Sequence, residues 1–280
     1  MKICRRIEEI REVADGFRST GSLALVPTMG ALHAGHVALV SQAVENHPNT
    51  IATIFVNPTQ FGNAKDLEHY PRTEEADLEI LSAAGVAAVF LPDASEIYPE
   101  GDETIVETTN LATRFHGAVR PGHFRGVATV VSKLFNIVQP NTAYFGMKDY
   151  QQVAVIRRMV LDLHVPIKIV GVETVRDEDG VALSSRNARL TPEDRMAAPI
   201  LNRALLEAET ALRSGETIEH AVATVQNIIA SEPRASLKAI DVVDAATFLP
   251  ATGVPTKPIG FMISALFGDV LLIDQKEFTP

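Results

Sequence analysis

His33 and His36 are separated by Ala34 and Gly35. An i, i+3 pair on a helix points both imidazoles to one side, and Gly35 removes the side chain that would hold a nucleotide off the backbone. The pair follows the apolar run Leu23–Val26, which Pro27 and Gly30 break, and precedes Val37, Leu39, Val40 and Val44 at helical spacing. A strand therefore turns into a helix at the histidines. Backbone N–H groups at such a start lack intrahelical partners and the dipole end is positive, so phosphate oxygens suit the place. Imidazole, neutral or charged, can donate a hydrogen bond to a phosphoryl group that gains charge during transfer. Plain polar surface is an equal alternative from the spacing alone. Zinc is disfavoured, because helical metal pairs usually fall at i, i+4 and no cysteine or carboxylate lies nearby in sequence.

Two further stretches offer phosphate chemistry. Gly146-Met147-Lys148-Asp149-Tyr150-Gln151-Gln152 repeats the strand-to-helix pattern, with Lys148 as a point charge for phosphate and Asp149 as an oxygen ligand for hydrated Mg²⁺. A solvated helix entry is its alternative reading. Leu183-Ser184-Ser185-Arg186-Asn187 brings two hydroxyls and a guanidinium onto one loop, a set that can wrap a polyphosphate or simply cap a helix. Asn57-Pro58-Thr59-Gln60-Phe61 is a rigid polar loop in which Gln60, both donor and acceptor, can read a hydroxy acid. The segment from His116 to Gly126, rich in glycine and basic residues, reads equally as a lid, a site wall or an ordinary loop.

The elements that must position these residues alternate. A helical stripe at Ile3, Ile7, Ile10 and Val13 precedes the strand at Leu23, and strands follow at 50–56, 87–91, 143–146 and 167–172. Helices are expected after His36, after a Thr73 cap as far as Gly85, over Phe124–Val138 and over Asp149–Leu161. Repeated βα alternation predicts a doubly wound parallel, Rossmann-like sheet, whose ligands bind beyond the carboxyl ends of the strands. His33, Asn57 and Lys148 all fall there. From about Val175 the texture changes to helices over Leu190–Arg213 and Ile218–Ala230, then strands over Leu237–Val243, Gly260–Leu266 and Val270–Ile273. We expect residues 1–175 to form the nucleotide-binding domain and 176–280 a smaller α+β domain that closes over the site.

The net charge of −10 leaves no basic field for nucleic acid or an anionic membrane. The single Cys4 precludes an internal disulfide and suits a reducing cytoplasm. The N-terminus lacks the apolar core of a signal peptide, and Leu81–Leu91 is too short to span a bilayer.

In order and spacing, these stretches resemble the pantothenate synthetase (pantoate–β-alanine ligase) family. The resemblance runs through Pro27–His36, Phe55–Phe61, Tyr70-Pro71-Arg72, Arg120–Phe124, Tyr144–Gln152 and Leu183–Asn187, covering essentially the whole first domain with weaker support in the second. It implies condensation of (R)-pantoate with β-alanine at the expense of ATP, through an enzyme-bound pantoyl adenylate. Carried onto this chain, Met29, Gly30, Ala31, Leu32, His33, Ala34, Gly35 and His36 would line ATP. So would Gly146, Met147, Lys148, Asp149, Val175, Leu183, Ser184, Ser185 and Arg186. His36, His33, Lys148 and Arg186 would act in catalysis, Asp149 would lie near Mg²⁺, and Gln60 and Gln152 would bind pantoate. The resemblance also implies a homodimer. Ala34 and Met147 depart from the family, which usually has glutamate at both positions. A nucleotidylyltransferase acting on a phosphorylated acceptor is the nearest alternative, but it would call for further basic residues. A non-catalytic nucleotide binder would tolerate damage to at least one phosphate-binding stretch, and none is damaged.

Overall fold

A computed structural model describes residues 1–62 and 67–280. Two compact units form, one from Met1–Gly146 with Gln151–Glu173 and one from Met147–Tyr150 with Thr174–Pro280. The short segment after the fifth strand thus groups with the second unit, although its flanking residues belong to the first.

The first unit is built on six strands: β1 (Lys2–Cys4), β2 (Leu23–Thr28), β3 (Asn49–Ile54), β4 (Ala88–Phe90), β5 (Thr142–Gly146) and β6 (Lys168–Val172). Their order is β1-β4-β3-β2-β5-β6, and every neighbouring pair is parallel. The doubly wound sheet expected from the alternation is therefore present. Leu23, Ala24, Leu25 and Val26 are wholly buried, as a central parallel strand covered on both faces requires. After β2 the chain winds one way through β3 and β4, whereas β5 lies on the other side of β2. The carboxyl ends of β2 and β5 therefore flank the topological switch point, where such sheets leave a crevice.

The chain start differs from expectation. Ile3 belongs to a strand that pairs through Ile3↔Val89, and the helix begins only at Ile7. Three residues are too few to show a period of two, so Ile3 read as part of the helical stripe behind it. Arg6 caps that helix in place, with Glu9 Oε2 accepting from the Arg6 N–H at 3.1 Å.

The second unit packs two long helices, Ile200–Arg213 and Ile218–Ala230, on the antiparallel sheet β7 (Ala235–Asp244), β8 (Ile259–Phe267) and β9 (Val270–Phe278). The expected single helix over Leu190–Arg213 is two, Pro192–Ala197 and Ile200–Arg213, because Pro199 supplies no N–H and breaks the ladder. Strand β9 also runs five residues beyond Ile273. The polar pair Asp274-Gln275 ends the apolar run in sequence, yet both side chains are buried. Among the described residues no helix is long and apolar enough to cross a membrane.

Candidate active site

In the first unit the chain leaves β2 through a tight loop. Gly30 has φ +81°, the left-handed region that glycine enters without steric cost, and Ala31 follows at φ +50°. Asp77, 1% exposed on the helix Glu74–Ala83, holds this loop from beneath. Its Oδ2 accepts from the Ala31 N–H at 2.9 Å and its Oδ1 from the Leu32 N–H at 2.8 Å. A β-carbon on Gly30 would stand 2.9 Å from Asp77 Oδ2, so the backbone approaches the carboxylate as closely as glycine permits.

His33 is the N-cap of the helix Ala34–Asn46, and His36 is its third residue. The His33 Nδ1 accepts from the Gly35 N–H at 3.1 Å, and the His36 Nδ1 accepts from the His33 N–H at 3.2 Å. The imidazoles form a reciprocal capping box, a task usually given to Ser/Thr and Glu. The ring centroids lie 4.2 Å apart. An Nδ1 that accepts from an N–H carries no proton, so both neutral rings hold theirs on Nε2. The local fold thus sets two Nε2–H donors of one tautomer side by side.

This arrangement revises one expectation. From Gly30 to Val37, every backbone N–H except that of Ala34 donates within the protein, to Thr28, Asp77, the histidine rings or the His33 carbonyl. The helix start therefore offers an anion its imidazole donors and the Ala34 N–H, rather than an open nest of amides.

At the end of β3, the Asn57 side chain organises the next loop. Its Oδ1 accepts from the Tyr98 hydroxyl at 2.8 Å and the Thr59 hydroxyl at 2.9 Å. Its Nδ2 donates to Gln60 Oε1 at 3.0 Å and to the Gly126 carbonyl at 3.1 Å. Burial raises the Tyr98 phenol above its ordinary range, with Asp102 adding to the shift against the Thr59 bond, so it stays a donor. Gln60 is itself buried and aims Nε2 at Met29 Sδ, 3.1 Å away, which joins this loop to the one after β2. His123 donates from Nδ1 to the Gln60 carbonyl at 2.8 Å. Gly126 allows the helix His123–Val138 to press on this turn, since a β-carbon there would lie 2.6 Å from the Thr59 carbonyl oxygen.

The glutamines after β5 separate in role. Gln151 is buried and fixes the segment before the helix His123–Val138, accepting from the His116 N–H and donating to the carbonyls of Leu111 and Arg114. Gln152 is only partly buried.

In the second unit, Val175 and Leu183 face each other across a hairpin, with the Leu183 N–H donating to the Val175 carbonyl at 3.0 Å. Arg176 anchors it by a bidentate bond to Asp274 at 2.7 and 2.9 Å. Ser184 Oγ caps the turn Ser185–Arg189 by accepting from the Arg186 N–H at 3.3 Å. Lys148, Ser184, Arg186, Asn187 and Asp274 share a pocket with an apolar wall formed by Leu201 and Leu271. In it, Asn187 Oδ1 is buried with no partner among the described residues, an acceptor awaiting a donor. Asp149 is half exposed, its Oδ1 3.9 Å from Lys148 Nζ. Among the described residues no three His, Cys, Asp or Glu side chains cluster to hold a metal.

Residues 2–277 match the family model described as pantoate-beta-alanine ligase. The chain belongs to that family. A pantothenate synthetase from Sinorhizobium medicae is 47% identical over 282 residues, covering 100% of this chain and 97% of its own length. One from Rhizobium rhizogenes is 48% identical over 278 residues, covering 99% and 96%. The crystal structure of pantothenate synthetase from Thermus thermophilus superposes with a TM-score of 0.94 at 42% identity, with 100% of both chains covered. The pantoate-beta-alanine ligase of Francisella tularensis, solved with beta-gamma ATP and beta-alanine, gives 0.81 at 33% identity, covering 99% of this chain and 97% of its own.

For this member of the pantoate–β-alanine ligase family, sequence reasoning overlooked Asp77 and Asp274. Each carries a sequence signal: a carboxylate on the face of a helix or strand that otherwise points inward.

Proposed function

We infer that the protein joins (R)-pantoate to β-alanine at the expense of ATP, releasing AMP and pyrophosphate. The observation that supports this reading beyond family membership is that Nδ1 of both His33 and His36 accepts a backbone N–H bond, which leaves Nε2 to donate, at the switch point of a Rossmann-like sheet. Neutral donors with fixed aim stabilise charge that develops on a phosphoryl group without binding the ground state too tightly.

In the first step a pantoate carboxylate oxygen bonds to the α-phosphorus of ATP, the bond from that phosphorus to the β-bridging oxygen breaks, and pyrophosphate leaves with the electron pair. We assign His33 and His36 to the α-phosphoryl oxygens. Lys148, Ser184, Ser185 and Arg186 serve the phosphates as a cation and donor set, with Val175 and Leu183 beside the base. Positioning matters as much as charge, since two anions must be held in line. Gln60 and Gln152 are assigned to pantoate. Asp149 would be the carboxylate to hold Mg²⁺ brought in with ATP, and the ion would supply positive charge to offset that of the leaving pyrophosphate. In the second step the deprotonated amine of β-alanine attacks the acyl carbon, and AMP leaves with the electron pair of the broken acyl–oxygen bond. No covalent enzyme intermediate is required.

A homodimer and a cytoplasmic location complete the reading, the former testable by sedimentation. The activity itself is tested by pyrophosphate exchange into ATP with Mg²⁺. Exchange that requires pantoate, with AMP appearing only after β-alanine, is the expected result. Tight ATP binding without exchange overturns it.

A further inference from the structure

We propose that Asp77 is a positioning residue for the adenylation step, acting through the loop that presents His33 and His36. The proposal rests on the pantoate-adenylating reading above. Both Asp77 oxygens are committed to successive backbone N–H groups, those of Ala31 and Leu32, at 2.9 and 2.8 Å. A buried carboxylate serves better than any neutral group here, because it can accept from both amides at once and charged acceptors make the stronger bonds. Among the described residues it forms no ion pair, and each of its two oxygens accepts from one of those amides.

The loop needs this support. Ala31 at φ +50° lies in the left-handed region, where the β-carbon of an L-residue crowds the backbone. Thr28 Oγ1, held on the Thr53 carbonyl at 2.6 Å, accepts from the Gly30 N–H, so three consecutive amides are tied to side chains below them. Leu32 leads directly into the His33 cap. A loop that relaxes at Ala31 turns His33 away from Gly35, and with it the His33 N–H that fixes the His36 tautomer. The chain of cause runs from a helix residue outside the histidine motif to the aim of two catalytic donors.

Asp77→Asn tests this with almost no change of volume. Its amide nitrogen must confront one of the two N–H donors, so the loop loses one bond and gains a repulsion. Pantoate-dependent pyrophosphate exchange should fall about 10²-fold in kcat, the scale of a misplaced catalytic group, with KM for pantoate nearly unchanged. Nitrogen NMR of the imidazoles should show both rings as Nε2–H in the parent protein and a mixture of tautomers in the variant. Ala31→Gly in the Asp77→Asn background removes the left-handed penalty and should restore about fivefold, the equivalent of about 1 kcal/mol. A folded Asp77→Asn protein with kcat within about twofold of the parent overturns the proposal. So does a loss of activity with unchanged tautomers and no rescue by Ala31→Gly, which would make Asp77 a charge rather than a positioner. If the parent protein shows no exchange, the adenylation reading fails, and the tautomer measurement still decides whether Asp77 orients the histidines.

Discussion

The backbone N–H of His33 donates to Nδ1 of His36 at 3.2 Å, so one histidine of the pair fixes the protonation of the other. Structure and chemistry are thereby divided between the two nitrogens of one ring. Nδ1 closes the helix end, and Nε2–H is the donor that the proposed function assigns to the phosphoryl group. The division can be tested by substitution. Asn at position 36 can put an acceptor near Nδ1 but reaches no further, whereas Gln can reach the Nε2 position but leaves the cap. His36→Asn should keep its stability within about 1 kcal/mol and lose about 10²–10³ in kcat, as removal of a transition-state donor does. His36→Gln should lose about 1 kcal/mol of stability and retain the higher kcat of the two. The reverse ranking, from urea denaturation and exchange kinetics, would dismiss the division of labour.

Gly126 is where the helix His123–Val138 touches the turn that carries Gln60. An added β-carbon would lie 2.6 Å from the Thr59 carbonyl oxygen and 2.7 Å from the Gln60 nitrogen, both backbone atoms that cannot swing aside. Gly126→Ala should therefore cost about 1–3 kcal/mol by overpacking and raise KM for pantoate more than it lowers kcat. Parent-like KM with reduced stability would mean that the turn does not position pantoate.

The sheet and most helices were legible because parallel strands buried on both faces are continuous apolar runs, and Leu23–Val26 and Ala87–Leu91 are such runs. The histidine and lysine stretches were placed at the ends of β2 and β5, where the structure has them, from the spacing of apolar runs and breakers. What escaped is of another kind. Ile3 lay in a strand too short to have a period, and Pro199 split a helix whose apolar stripe continues across it. Asp77 and Asp274 stand at inward positions that a hydrophobic pattern counts as interruptions, and their partners, Ala31, Leu32 and Arg176, are tens of residues distant in the chain. Nor does spacing show that the amides of the helix start are already bonded. That follows from which way the imidazoles turn.

Arg176 and Asp274 anchor the hairpin that bears Val175 and Leu183, and the Asp274 side chain is only 2% exposed. Removing one partner leaves a charge buried and uncompensated, at a cost of about 3–5 kcal/mol. Arg176→Met should be destabilising on that scale, and the double variant Arg176→Met/Asp274→Leu less so than Arg176→Met alone. Chemical denaturation of the parent, Arg176→Met, Asp274→Leu and the double variant gives the comparison. A double variant that loses the sum of both single losses would show that packing, not charge, dominates at this position.

Arg195 clamps the tip of the same hairpin, bonding Asp179 at 2.6 Å and Asp177 at 2.8 Å. Its bond holds the Asp179 carboxyl below the ordinary carboxylate range, against the opposing effect of partial burial. A carboxylate whose pKa is depressed by folding adds stability above its unfolded value, about 3.9. That stability is lost as pH falls through the lower, folded value. All three side chains remain partly exposed, so solvent screening limits the contribution to about 0.5–1 kcal/mol. Arg195→Leu should therefore melt below the parent protein at pH 7, and the gap should narrow from about pH 4 downward. High salt should narrow it too, since 1 M ionic strength shortens the screening length to about 3 Å. A gap in melting temperature that persists at pH 3 and in high salt would assign the effect to the packing of the arginine stem instead.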